Sequence, residues 1–151
     1  MSRTDTAIRL AGKLLQLTVA GKLTWADAGT IGLPGERPCQ VFKVQMADGM
    51  FARIAEVPVP RSLIVSYYFG IADGERDFGE PIYLGQDGIL EAFAGAHEIF
   101  GIFAEGYPAD PTDEKLKLLS TLKDLYIAAK DNAKGTWQKV EKFEQLLERL
   151  A

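Results

Sequence analysis

The stretch that decides the fold is QVFKVQMADGMFARIAEV, residues 40–57. Phe42, Val44 and Met46 alternate with the residues between them, and a second apolar run follows Asp48-Gly49. Alternation with period two indicates a strand with one face buried. Asp-Gly tolerates the positive φ that a type I′ turn requires at both central residues. The stretch therefore predicts an antiparallel hairpin.

The hairpin extends into a β-meander of about four strands. Residues 63–71 form a continuous apolar run, which predicts a central strand covered on both faces. Residues 81–84 predict a short edge strand, and residues 22–25 an extended segment. The glycines and proline of residues 29–35 predict an irregular loop.

Two helices are predicted outside the C-terminal third. An N-terminal helix, capped by Thr4 or Asp5 and ending near Gly21, carries apolar residues at helical spacing. The segment 88–104 is also predicted to be helical, because five apolar residues recur at that spacing: Ile89, Phe93, Ala96, Phe100 and Phe103.

Two further helices are predicted near the C-terminus. Asp110-Pro111 suits a helix start, and Gly135 ends that helix. Its apolar stripe comprises Leu118, Leu122, Leu125 and Ala129, with Leu119 and Tyr126 beside it. A last helix from about Thr136 has an apolar face of Val140, Phe143, Leu147 and Leu150. The order of elements predicts a single α+β domain, residues 1–151, with two to three C-terminal helices and the N-terminal helix packed on the sheet.

The composition favours a cytoplasmic protein. Cys39 is the only cysteine, so no intramolecular disulfide can form, which fits a reducing compartment. The N-terminal residues lack the apolar core of a signal peptide, and no apolar run is long enough to cross a bilayer. We therefore expect no membrane partner.

Catalytic and cofactor motifs are sparse. One cysteine and one histidine, His97, do not supply four ligands for structural zinc. No P-loop follows the glycines of residues 29–35, and we expect no cofactor. A hydrolase that uses His97 with a nearby carboxylate stays open as an alternative, because the members of such a site can lie anywhere in the sequence.

A tract without cations is the feature that stands out. Residues 77–114 contain no Lys or Arg and nine acids: Asp77, Glu80, Asp87, Glu91, Glu98, Glu105, Asp110, Asp113 and Glu114. Such a surface repels a phosphate backbone, which disfavours nucleic acid, and attracts a basic protein partner. The predicted partner-binding residues are Asp87, Glu91, Glu98, Glu105, Phe100 and Tyr107. The simpler interpretation is that the aromatics are core and the acids are solvated.

A second hypothesis is a small-ligand sensor. Its pocket, between sheet and helices, would be lined by Trp25, Tyr67, Tyr68 and Phe69. Association into a homo-oligomer also stays open.

The layout resembles a group of small bacterial and phage-encoded α+β proteins of unknown function. The resemblance is carried by Gly21-Lys22-Leu23-Thr24-Trp25, the meander, and Leu122-Lys123-Asp124-Leu125-Tyr126. Small proteins of this layout include immunity proteins of polymorphic toxins and mobile-element accessories. The resemblance suggests an immunity-type inhibitor or a mobile-element accessory protein, and it supplies no catalytic residues.

Overall fold

A computed structural model describes residues 2–31, 37–59, 61–73 and 98–151. Its elements in chain order are α1 (Arg3–Val19), β1 (Trp25–Ile31), β2 (Cys39–Gln45), β3 (Met50–Pro58), β4 (Val65–Asp73), β5 (Glu98–Ala104), α2 (Asp113–Lys134) and α3 (Thr136–Leu150). The strands form one antiparallel sheet in the order β1-β2-β3-β4-β5. The α+β class is confirmed, with five strands where about four were predicted.

The β2–β3 hairpin is confirmed together with its turn. Asp48 has φ 62° and Gly49 has φ 75°, so both residues adopt the positive φ that the Asp-Gly pair predicts. On either side of the turn Gln45 pairs with Phe51 and Lys43 with Arg53. The local turn chemistry thus fixes the register of the first sheet pair.

The central strands are buried on both faces. Phe42, Ile54 and Phe69 lie in one cross-strand row and pack in the same cluster as the helices. The neighbouring row of Val41, Ala55 and Tyr68 points to the opposite face and is buried as well. The continuous apolar run of residues 63–71 predicted this double burial correctly for residues 66–70, because alternation is lost when neither face meets water. The first two residues of the run, Leu63 and Ile64, precede β4 and are exposed.

α1 and α2 pack against one face of the sheet and against each other. The predicted stripe of α2 is buried: Leu118, Leu122, Leu125, Tyr126 and Ala129. On α1 the fully buried apolar positions are Ala7 and Ala11, whose small side chains allow the two helices to lie close together.

The prediction of a helix over residues 88–104 is wrong for residues 98–104, which form β5; residues 88–97 lie outside the described residues. Phe100 and Ile102 pack toward the helices, and Gly101 between them pairs with Gly70 of β4. The alternation of Phe100 and Ile102 is that of a strand, and pairing with β4 selects the extended form. The edge strand predicted at residues 81–84 lies outside the described residues.

Both long helices begin at a different residue from the one predicted. Ser2 caps α1, and its Oγ accepts a hydrogen bond from Asp5 N at 3.0 Å. Thr112 caps α2 in the same way, with Lys115 N donating to its Oγ1 at 3.2 Å. In each case a hydroxyl residue reaches the third amide of the helix, so the capping chemistry is as expected but shifted by two or three residues.

β1 runs through the first part of the predicted loop. Gly29 lies within the strand with φ 91°, and the pairing with β2 shifts register between Asp27 and Thr30. The glycine therefore marks a bulge in a strand rather than the start of a loop. Residues 32–36 lie outside the described residues.

A buried polar tie joins α1, β1 and α2. The indole Nε1 of Trp25 donates to Thr18 Oγ1 at 2.8 Å, and the Thr18 hydroxyl donates to Leu14 O at 2.7 Å. Trp25 N donates to Asn132 Oδ1 at 2.6 Å, and Asn132 Nδ2 donates to Leu23 O at 3.0 Å. Hydrogen bonds thereby connect Trp25, at the start of β1, to both α1 and α2, while its ring packs in the core.

α3 departs from the packing expected of a C-terminal helix. Gly135 ends α2 and α3 starts at Thr136, both as predicted; the structure adds that Gly135 adopts the left-handed conformation, with φ 62°. None of the residues of α3 is buried. Within the described parts of the chain, no helix is both long and apolar enough to span a bilayer.

Candidate functional site

Among the described residues, exposed aromatic and aliphatic side chains lie around the end of the sheet where β5 finishes and β4 begins. Tyr107 is 81% exposed and Leu63 is 93% exposed. Ile64 is also exposed, and Glu105 and Asp110 carry exposed carboxylates nearby in sequence. We call these five residues the Tyr107 surface.

A glycine brings the two halves of the Tyr107 surface together. Ala104 at the end of β5 pairs with Tyr67, so the chain after β5 runs beside the start of β4. Gly106 N donates to Ser66 Oγ at 3.0 Å. A Cβ at Gly106 would collide with the carbonyl oxygen of Val65 and lie 2.6 Å from Ile64 Cγ2. The absence of a side chain therefore permits this close approach.

Two cations, Lys115 and Arg37, reach backbone carbonyl oxygens next to the Tyr107 surface. Lys115 Nζ donates to Asp110 O at 3.1 Å, and Arg37 Nη2 donates to Ser62 O at 2.8 Å, beside Leu63. The Tyr107 surface thus carries the exposed acids Glu105 and Asp110, and Lys115 lies close to both, since it contacts the Asp110 backbone and lines a cleft together with Glu105.

Asp113 and Glu114 belong to a different surface. Both lie in the first turn of α2, where the positive end of the helix dipole stabilises acids. Ser2 Oγ donates to Glu114 Oε1 at 3.0 Å. The cleft beside them is also lined by Arg9 and Lys117. These two carboxylates therefore have a structural explanation in the start of the helix.

The structure brings only two of the six predicted partner-binding residues together. Glu105 and Tyr107 share the Tyr107 surface. Phe100 is half-buried on the helix side of β5, where the Arg3 guanidinium lies 5.2 Å from its ring centroid. Glu98 starts β5, roughly 20 Å from Glu105 along an extended strand. Asp87 and Glu91 lie outside the described residues.

The four aromatics of the ligand-pocket hypothesis do not face one another. Trp25, Tyr67 and Phe69 are buried in the cluster between sheet and helices. Tyr68 points to the opposite face of the sheet and is buried there. Because the sheet lies between Tyr68 and the other three, these residues do not line one pocket.

Sequence reasoning missed a polar cluster at the same end of the sheet, under α2. Gln40, Glu56 and Tyr67 are cross-strand neighbours. Gln40 Nε2 donates to Asp27 Oδ1 at 2.9 Å, and Tyr67 OH donates to Glu56 Oε2 at 3.4 Å. The ring of Tyr126 lies 5.7 Å from that of Tyr67. The residues come from four strands and a helix, so their proximity depends on a register that periodicity alone does not reveal.

Both phenols of this cluster stay protonated at neutral pH. Burial, followed by the charge of Glu56 and its hydrogen bond, raises the pKa of Tyr67 to about 12. Burial and then Glu56 also raise the pKa of Tyr126. Protonated phenols donate hydrogen bonds, so the cluster satisfies a half-buried carboxylate and supplies no nucleophile of its own.

The remaining candidate groups offer little chemistry. Cys39 is fully buried, and burial raises the pKa of its thiol to about 11, which suppresses the reactive thiolate. His97 lies outside the described residues. Among residues 2–31, 37–59, 61–73 and 98–151, no group of three or more His, Cys, Asp or Glu side chains is placed to hold a metal ion.

Comparisons with known proteins give no match from which a function could be inferred. No protein-family model matches the sequence. No curated protein and no solved structure matches it significantly.

Proposed function

We propose that this protein is a non-enzymatic protein-binding module whose partner docks on the Tyr107 surface. The observation that carries the proposal is the exposure of Tyr107 and Leu63, 81% and 93%, with the exposed acids Glu105 and Asp110 two and three residues from Tyr107 in the sequence. Aromatic side chains are enriched at the centres of protein interfaces, where they fill pockets of the partner. Apolar side chains that are exposed together on a protein surface mark binding sites for other proteins.

The anchoring of the backbone just before Tyr107 supports the same function. Gly106 packs on the backbone of β4, and its amide is fixed by Ser66. Tyr107 therefore projects from a segment that is held at both strands rather than from a free loop. A side chain presented in a fixed position loses less conformational freedom on binding, which favours affinity.

A basic partner is favoured by charge. The chain has a net charge of −4, and Glu105 and Asp110 belong to the tract of residues 77–114 that lacks cations. Carboxylates at the rim of an aromatic patch select partners of opposite sign and accelerate their approach. A cationic toxin bound by an immunity-type inhibitor is the class of partner that the resemblance suggests.

Panning a displayed library of random 15-residue peptides against the protein tests the proposal. We expect enriched peptides to combine Lys or Arg with an apolar anchor. Isothermal titration of one such peptide should show affinity falling about tenfold or more with rising salt, because charge contributes to the contact. Enrichment of neutral or acidic peptides would contradict a basic partner.

Two matched variants separate the Tyr107 surface from net charge. Glu105→Gln/Asp110→Asn removes two carboxylates from the surface. Asp48→Asn/Asp73→Asn removes two at the opposite end of the sheet, where Met50 pairs with Asp73 and where asparagine also tolerates the φ of 62° at Asp48. Only the first variant should bind the peptide with lower affinity than the parent protein does. Equal losses in both would mean that nonspecific attraction explains binding.

A further inference from the structure

The helix α3 carries a continuous apolar stripe that the protein itself leaves uncovered. Val140, Phe143, Leu147 and Leu150 are exposed by 48%, 62%, 52% and 85%. Their spacing of three, four and three residues is that of the a and d positions of a two-heptad coiled coil. Trp137 and Leu146 beside the stripe are also exposed, by 67% and 44%, and the rest of the helix is Thr, Glu, Lys, Gln and Arg. This is the pattern of a helix that packs along one seam.

The helix also lacks the local support that an isolated helix needs. It has 15 residues, its first residue follows Gly135, and no side chain caps its N-terminus. No acid occupies its first turn. A helix of this length is marginal in water unless its apolar face packs against something. The stripe therefore contributes to stability only when a partner covers it.

We propose that α3 pairs in parallel with α3 of a second copy of this chain, forming a symmetric dimer. Charge complementarity selects this occupant. With Val140 and Leu147 at a, and Phe143 and Leu150 at d, Lys139 occupies g and Glu144 occupies the following e position. In a parallel pair, each g residue faces the e residue five positions later on the other helix. Lys139 then faces Glu144 of the second copy, twice by symmetry.

Antiparallel pairing lacks this match. Aligning all four apolar positions in reverse places the two Glu144 side chains near each other, and like charges oppose association. Each exposed ion pair adds little energy, so its role is to set orientation while the apolar seam supplies affinity.

The base of the helix favours the same arrangement. Trp137, 67% exposed, borders a cleft of about 370 Å³ that is also lined by Val19 and Ile127, which are 76% and 47% exposed. A parallel pair brings the N-terminal ends of the two α3 helices to the same end of the dimer, next to the symmetry axis. There the apolar residues of both copies can be covered together, which an antiparallel pair would not achieve.

A membrane surface fits the helix less well. The residues from Thr136 to Leu150 include three cations, Lys139, Lys142 and Arg149, and three acids, Glu141, Glu144 and Glu148. Helices that lie on anionic membranes carry an excess of Lys and Arg on the polar face. The neutral balance of α3 removes that attraction. The pairing uses residues outside the Tyr107 surface and does not depend on its function.

Sedimentation equilibrium of the full chain tests the dimer. We expect a mass near twice 16.6 kDa that falls toward the monomer on dilution. Phe143→Ser/Leu147→Ser should weaken association at least about tenfold, since the variant removes two of the four apolar side chains of the seam. Gln138→Ser/Gln145→Ser, on the polar side of the same helix, should dimerise like the parent. A parent protein that stays monomeric at high concentration overturns the proposal, as does monomeric protein that binds phosphatidylglycerol vesicles through α3.

Charge exchange tests the orientation. Lys139→Glu alone and Glu144→Lys alone should each weaken self-association, and the double exchange should restore it. Mixing the two single variants should yield a heterodimer, because each g position then faces an opposite e charge. Oxidation of Leu150→Cys should give a covalent dimer through the d position, whereas Gln145→Cys should not. If Lys139→Glu leaves self-association unchanged and oxidised Leu150→Cys gives no covalent dimer, the parallel arrangement is wrong.

Discussion

Asn132 on α2 and Trp25 at the start of β1 are joined by a hydrogen bond of 2.6 Å from Trp25 N to Asn132 Oδ1, across 107 residues of sequence. The same amide group donates from Nδ2 to Leu23 O at 3.0 Å. One side chain therefore satisfies the backbone on both sides of residue 24. This pairing fixes the entry of the chain into the sheet relative to α2.

Replacing Asn132 should destabilise the protein. Asn132→Ala removes both hydrogen bonds and leaves Trp25 N and Leu23 O without this partner, so we expect a loss of about 2 kcal/mol in the free energy of unfolding. Urea denaturation followed by tryptophan fluorescence measures the loss. Ser120→Ala, on the exposed side of the same helix, should stay within about 0.5 kcal/mol of the parent. Equal stability of the two variants would contradict the role of Asn132.

Gly12 should tolerate a side chain and gain from it. It lies within α1, and a Cβ there meets nothing within 4 Å. Gly12→Ala should raise the free energy of unfolding by about 0.5–1 kcal/mol, because alanine has less backbone freedom to lose on helix formation. Thermal unfolding followed by circular dichroism at 222 nm, a helix signal, checks this. A lowered melting temperature would mean that α1 is not packed as described.

Gly106 should respond in the opposite direction to the same substitution. Gly106→Ala forces a methyl group against the carbonyl oxygen of Val65 and against Ile64. We expect a loss of about 1–3 kcal/mol, typical of overpacking, in the same thermal assay. Neutral behaviour would show that the segment after β5 does not lie against β4, and would also remove the basis of the Tyr107 surface.

Cys39 should be inert in the folded protein. Its side chain is 0% exposed, and burial raises the pKa of the thiol from 9.0 to about 11. The reaction with Ellman's reagent near neutral pH should be about 100-fold or more slower than in denaturing guanidinium, because only opened molecules expose thiolate. In Ser120→Cys the added exposed thiol should react promptly while Cys39 stays protected. Two fast thiols in that variant would refute the burial of Cys39.

Alkaline pH should reduce stability through Tyr67. The pKa of Tyr67 rises from 10.0 to about 12 on folding, so the folded state holds its proton more tightly. The stabilisation is fully present below pH 10 and is lost as the pH rises toward 12, where the unfolded state has already released the proton. Chemical denaturation across this range should show the free energy of unfolding falling with pH. Tyr67→Phe should make the fall shallower, while Tyr126, whose pKa is also raised by burial, keeps part of it. Tyr107→Phe, which removes an exposed hydroxyl, should leave the fall unchanged.

Features with local causes could be predicted from the sequence. The turn at Asp48-Gly49 and the break at Gly135 were correct, because each depends on the positive φ of one or two residues. β5 was not predicted, because Phe100 and Phe103 satisfy helical spacing, and only pairing with β4 selects the extended form. The sequence alone does not show that the partner strand is available.

In the candidate site, too, only the residues that are close in the sequence could be predicted together. Glu105 and Tyr107 were identified together because they are close in the chain. Leu63 and Ile64 were not added to them, because their proximity follows from the pairing of Ala104 with Tyr67. Likewise, the apolar face of α3 was recognised from its spacing, but its exposure is a property of the tertiary structure.

The double burial of the central strands determines how this protein can evolve. In a sheet with one solvent-exposed face, every second position of a strand accepts polar substitutions. A comprehensive mutational scan of such a strand shows tolerance to substitution that alternates from one residue to the next. Here residues 51–55 and 66–70 are all buried, so the scan should show two unbroken intolerant blocks. Neutral drift is then confined largely to the hairpin turn, the outer surfaces of the helices and the ends of the sheet, which is where new binding specificities can arise without loss of the fold.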